Sequence, residues 1–128
     1  MPETKMRILV VEDDFLVAEM IEGVLEECGY LVIGKATDGR EAVNMTLELK
    51  PDAVLMDVHL PVMSGLEASS MILRLRPTPI VVLTAYEHKE VVEAATRVGV
   101  GAFLVKPPNA NSLRRAISQA IAALTAPK

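Results

Sequence analysis

A chain of 128 residues with 51% apolar content and a mean hydropathy of +0.33 can bury a proper core and is too apolar to be disordered. Its net charge of −4 argues against nonspecific nucleic-acid binding, and a lone cysteine, Cys28, excludes an internal disulfide framework. No apolar run is long enough for a membrane span and Met1 to Met6 lack a signal-peptide layout, so a cytoplasmic domain is expected. It takes residues 1–128 as one unit, with its core at about 6–124 and a polar tail at 125–128.

Ile8 to Val11 is a short continuous apolar run, the pattern of a strand buried on both faces. It ends in Glu12, Asp13 and Asp14. Three adjacent acids are a solvated turn or, facing a cleft, a site that wants a cation. Val17, Met20, Ile21, Val24, Leu25 and Cys28 then recur at helical spacing, with Glu19, Glu22, Glu26 and Glu27 on the opposite face. Cys28 lies on the apolar stripe and reads as a core thiol, and Gly29 stops the helix. Leu31 to Ala36 is a strand interrupted by Gly34 and Lys35, which suits a sheet edge. Asp38-Gly39 turns into a helix from about Arg40 to Leu49, ended by Pro51.

Ala53 to Met56 is another short continuous apolar run, reading as a strand buried on both faces, and it delivers Asp57 to its carboxyl end. Pro61 and Gly65 shape a loop, and Leu66 to about Leu75 is a short helix that Pro77 and Pro79 end. Ile80 to Leu83 is a strand running into Thr84. Glu87 to Val98 is helical, with Val91, Ala94, Ala95 and Val98 on one face. Ala102 to Val105 is the last strand, followed by Lys106-Pro107-Pro108. Asn109 or Asn111 caps the final helix, whose stripe is Leu113, Ala116, Ile117, Ala120, Ile121 and Leu124.

Strand and helix thus alternate about five times. Right-handed crossovers demand a parallel sheet with helices on both faces, and five units suit the flavodoxin-like strand order 2-1-3-4-5, a doubly wound α/β fold. In that order strands one, three, four and five are contiguous. Their carboxyl ends carry Glu12, Asp13 and Asp14, then Asp57, then Thr84, then Lys106. Carboxylates, a hydroxyl and one lysine around a crevice are hard oxygen ligands beside a phosphate-binding cation. Magnesium prefers such a set, and a carboxylate can be the nucleophile that becomes an acyl phosphate.

The motifs Val10-Val-Glu-Asp-Asp14, Asp57-x-x-x-Pro61-x-Met-x-Gly65, Leu83-Thr84-Ala85 and Lys106-Pro107 together resemble the receiver domain of two-component response regulators, over about residues 6 to 124. The resemblance implies that Asp57 is the phosphoacceptor. It implies that Asp13, Asp57 and the backbone carbonyl of His59 bind magnesium, with Glu12 acting through water, and that Thr84 and Lys106 contact the phosphoryl oxygens. It further implies a cis Lys106–Pro107 peptide. The expected partner is a histidine kinase or phosphotransfer protein, and the expected function is a signalling switch that catalyses only its own phosphorylation and dephosphorylation. Thr84 and Phe103 would relay the change. Glu12 stands for the commoner aspartate, Phe103 for a frequent tyrosine and Pro108 for a residue that is often aromatic.

His59 and Tyr86 each follow a site residue by two positions and are expected to modulate phosphoryl lifetime by screening water; a solvent-facing loop side chain is the plainer reading of His59. No role is argued for His88. From Ile8 to Gly34 there is no Lys or Arg, whereas Lys89, Arg97, Arg114 and Arg115 belong to the last two helices. Two solvated faces explain this. A functional reading gives the first helix to the kinase and the last two helices to an output partner or a second copy. Three rivals differ in chemistry. A phosphohydrolase with an aspartyl nucleophile needs an acid where His59 stands. A flavin-binding domain needs a phosphate loop where three acids stand. A constitutive interaction module would not need the complete set of site residues.

Overall fold

The computed structural model describes residues 5–85 and 89–125. Strand β1 (Arg7–Val11) leads to helix α1 (Phe15–Glu27), β2 (Leu31–Ala36) to α2 (Gly39–Leu49), and β3 (Ala53–Asp57) to α3 (Gly65–Leu75). Next, β4 (Ile80–Thr84) leads to α4 (Lys89–Val98) and β5 (Ala102–Val105) to α5 (Ala110–Thr125). All strand pairs are parallel and the order is β2-β1-β3-β4-β5, the doubly wound arrangement expected from the sequence.

The apolar strand runs are continuous because each strand feeds two cores. Ile8, Val10, Leu55, Val81 and Leu83 face the layer of α1 and α5, packing on Ile21, Leu25, Leu113 and Ile117. Leu9, Val11, Val54, Met56 and Val82 face the layer of α2 and α3, packing on Val43, Ala68 and Ile72. Phe103 is half-buried against this second core, as is Val91 of α4. β2 lies at the edge, and its irregularity is one extra residue: Ile8 pairs with Val32 but Leu9 with Gly34.

Several local expectations are refined. Asn109, not Asn111, caps α5: its Oδ1 accepts from Ser112 N–H at 2.8 Å, and Ser112 Oγ accepts from Asn109 N–H at 2.9 Å. Pro108 before it is buried. Met20, on the expected apolar stripe of α1, is 42% exposed: the helix packs through Ala18, Ile21 and Leu25, with Val17 and Val24 at the margin of the same core. Cys28 is half-buried, its Sγ 3.8 Å from the Ala110 carbonyl oxygen. Gly29, at φ +92°, ends α1 as expected. The first two residues of the expected fourth helix, Glu87 and His88, lie outside the described residues.

Candidate phosphoryl and metal site

The acidic end of β1 is split by the start of α1. Asp14 is the N-cap: its Oδ1 accepts from the N–H groups of Leu16 at 2.9 Å and Val17 at 3.1 Å. That engagement removes Asp14 from the cleft, where the sequence places it with its two acidic neighbours. An aspartate directly before a helical pattern is itself a capping signal, and it sets Asp14 apart from Glu12 and Asp13. Glu12 stays in line with the strand, its N–H donating to the Ala36 carbonyl at 3.0 Å, and its side chain is buried. Asp13, between ladder and cap, is exposed at the cleft mouth.

Asp57 is the last residue of β3 and is 4% exposed. The ladder continues past it, with Val58 N–H donating to Leu83 O at 3.0 Å. The chain then turns, so that His59 N–H donates back to Asp57 Oδ1 at 3.1 Å while the His59 side chain stays exposed. Ser64 caps α3. Thr84 ends β4, is buried, and its carbonyl accepts from Lys106 N–H at 2.8 Å, which fixes the backbone of Lys106 beside the site. The Lys106–Pro107 peptide is cis. Lys106 Nζ donates to Asp57 Oδ2 at 3.1 Å and also to Glu12 Oε1.

Oxygens of Glu12, Asp13 and Asp57 lie within 4.8 Å of one another. Dehydration and the neighbouring Glu12 carboxylate raise the Asp13 pKa above its ordinary value. Dehydration works to lower the Lys106 pKa, but the hydrogen bond to Glu12 and the charge of Asp57 outweigh it, so the ammonium is held more firmly than usual. Three hard oxygen donors against one lysine leave excess negative charge, and a divalent cation such as magnesium fits that donor set. The structure therefore brings together Glu12, Asp13, Asp57 and Lys106, places Thr84 and the His59 backbone next to them, and sets Phe103 in the second core. Tyr86 lies outside the described residues. The direct Glu12–Lys106 contact was not expected from sequence; the longer reach of glutamate over aspartate was its available sign.

A family model described as the response regulator receiver domain matches residues 8–118. The chain is 43% identical over 115 residues to the transcriptional regulatory protein PdtaR of Mycobacterium tuberculosis, an alignment that takes in 90% of this chain and 56% of PdtaR. It thus spans little more than half the length of that relative. It is 39% identical over 102 residues to the chemotaxis protein CheY of Thermotoga maritima, covering 79% of this chain and 85% of that protein. Among solved structures, the response regulator domain of Thermotoga maritima CheB superposes with a TM-score of 0.84 at 30% identity, covering 92% of this chain and 97% of that one. The receiver domain of a sensor histidine kinase from Pseudomonas aeruginosa, which has a magnesium ion coordinated in its active-site cleft, superposes at 0.82 and 32% identity over 92% and 98%.

Proposed function

We propose that this chain, which belongs to the response regulator receiver domain family, is a magnesium-dependent switch that accepts a phosphoryl group on Asp57. The observation that carries the reading is the setting of that carboxylate. It is buried at a strand end, its Oδ1 takes the His59 N–H and its Oδ2 takes Lys106. Both oxygens are thereby held in place, and one of them lies within 4.8 Å of oxygens of Glu12 and Asp13.

In the transfer, an Asp57 oxygen bonds to phosphorus as the bond from phosphorus to the donor nitrogen or oxygen breaks. The donor fragment leaves with the electron pair. Asp13, Asp57, the His59 backbone carbonyl and, through water, Glu12 would hold the magnesium, which when bound neutralises charge on the phosphoryl oxygens. Lys106 is released from its carboxylates to pair with one phosphoryl oxygen, and the Thr84 hydroxyl hydrogen-bonds another. Phe103, on the neighbouring strand and packed against the second core, carries the rearrangement toward α4 and α5. His59 and Tyr86 govern water access to the acyl phosphate.

The donor is a phosphohistidine of a histidine kinase or phosphotransfer protein. The output is binding of a partner or a second copy through the last two helices, where Lys89, Arg97, Arg114 and Arg115 are exposed. Residues 1–128 act as one receiver unit that does not itself bind nucleic acid, and among the described residues no helix is long and apolar enough to cross a membrane. Incubation with acetyl phosphate and magnesium should add one hydroxylamine-labile phosphoryl group, read by intact mass. Asp57→Asn should abolish it; a variant modified at the parent rate would overturn the assignment.

A further inference from the structure

The loop after Asp57 carries a strained turn. Met63 N–H donates to the Pro61 carbonyl at 2.7 Å, which closes a three-residue γ-turn around Val62 at φ +68°. The positive-φ form of this turn is rare and strained. Val62 is β-branched and 81% exposed, so neither its own preference nor burial of its side chain holds it there. Such a conformation persists only where its surroundings over-determine it.

The surroundings are two glycines, each the first residue of a helix. A Cβ on Gly39 would stand 2.7 Å from the Met63 carbonyl carbon and 2.8 Å from Met63 Cβ, and closer still to the carbonyl oxygen. A Cβ on Gly65 would stand 2.8 Å from the Asp57 carbonyl carbon and 3.0 Å from Val58 Cα. Most of these neighbours are backbone, with no flexible side-chain end to swing aside. Gly39 is itself fixed. Asp38 Oδ1 accepts from Glu41 N–H at 2.8 Å, and Glu41 Oε1 accepts from Thr37 N–H at 3.2 Å, so the start of α2 is bound from both directions.

We propose that Gly39 is a positioning residue for the acceptor site. It lets the start of α2 press on Met63, which holds the 58–64 loop in its γ-turn and sets where the His59 backbone stands beside Asp57. The proposal rests on the reading of Asp57 as acceptor with the His59 carbonyl as a metal ligand. An alanine at 39 pushes Met63 away, and the loop loses its register over the site. The strain at Val62 is then the local expense of a loop held from outside.

The test is magnesium titration followed by backbone amide NMR shifts, with thermal melting on the same samples. Gly39→Ala should weaken magnesium affinity by about tenfold or more, the usual cost of disturbing a group that orients ligands. Gly34→Ala is the control: its Cβ would meet the flexible end of Met45 at 2.7 Å, on the edge strand, so it should lower the melting temperature and leave affinity unchanged. Val62→Pro breaks the turn without touching α2, because proline fixes φ near about −65°. At an exposed loop position it leaves the fold intact, so it tests the same idea if Gly39→Ala does not fold, and it should weaken affinity likewise. Parent-like affinity in either variant would overturn the proposal. A parent that binds no magnesium would overturn the functional reading, and this proposal with it.

Discussion

Lys106 Nζ stands 3.1 Å from Asp57 Oδ2 and is also hydrogen-bonded to Glu12, so one ammonium bridges two carboxylates that are almost fully buried. In the metal-free protein this lysine is the counter-charge of the site. It offsets part of the charge of Glu12, Asp13 and Asp57, and on the proposed mechanism loading the site would require its release.

Removing that charge leaves Glu12 and Asp57 buried and facing one another. Lys106→Met should therefore destabilise the metal-free protein by about 3 kcal/mol, the scale for breaking a buried pair from one side. Magnesium should restore much of the loss, as read by urea unfolding with and without the ion. The pH dependence follows from the same contact. The folded pKa of Lys106 lies above its ordinary 10.5, so its contribution is fully present below about pH 10.5 and is lost as the pH rises through the folded value. Alkaline unfolding of the parent should show this loss, and Lys106→Met should not.

Asp13 is shifted in the same direction, but here it is the neutral form that the fold favours. Its folded pKa is raised from 3.8 by dehydration and by Glu12, so the protonated form favours folding. That contribution is present below 3.8 and lost as the pH rises through the folded value. At neutral pH the ionised Asp13 opposes the metal-free fold. Asp13→Asn should raise metal-free stability by up to about 1 kcal/mol, the scale of exposed charge interactions. It should also weaken magnesium affinity by at least about tenfold, since a ligand matters no less than the groups that orient ligands. Thermal melts with and without magnesium separate the two effects: the variant melts above the parent without the ion and gains less from it. A gain equal to the parent's would remove Asp13 from the ligand set.

The strand cores and the convergence at one edge were legible because a parallel sheet buries both faces of each strand. Ala53 to Met56 and Ile80 to Leu83 are continuous apolar runs, and each hands over a polar residue where the run stops. With β3, β4 and β5 adjacent and parallel, Asp57, Thr84 and Lys106 therefore come together at one edge. What sequence left open depends on contacts between distant segments. The Arg7 guanidinium donates to the carbonyls of Leu49 at 2.8 Å and Lys50 at 2.9 Å, closing the C-terminus of α2. Nothing near Arg7 in the chain signals that role. The approach of Gly39 to Met63 is equally invisible, because an Asp-Gly pair before a helix has a local explanation in the cap alone. Met20 failed in the other direction: helical spacing fixes which residues share a face, not how far the partner layer extends.

The lifetime of the phosphorylated state depends on water reaching phosphorus opposite the Asp57 oxygen. His59 is rooted at the acceptor by its N–H on Asp57 Oδ1, and its side chain is exposed at the rim. Tyr86 follows Thr84 by two residues in the sequence. Neither has a carboxylate or amide to orient an attacking water, so on the proposed mechanism both would act by exclusion. Slow self-dephosphorylation is the expected outcome. Replacing both with alanine should speed decay several-fold, a change of roughly 1 kcal/mol in the barrier. Magnesium affinity should be unaffected, because the contribution proposed for His59 is its backbone carbonyl, which alanine retains. Decay of phosphorylated protein after donor removal, followed by intact mass, measures the effect. If His59 instead helps to hold the attacking water, His59→Ala alone should slow decay, and a double variant that decays no faster than the parent would end the exclusion model.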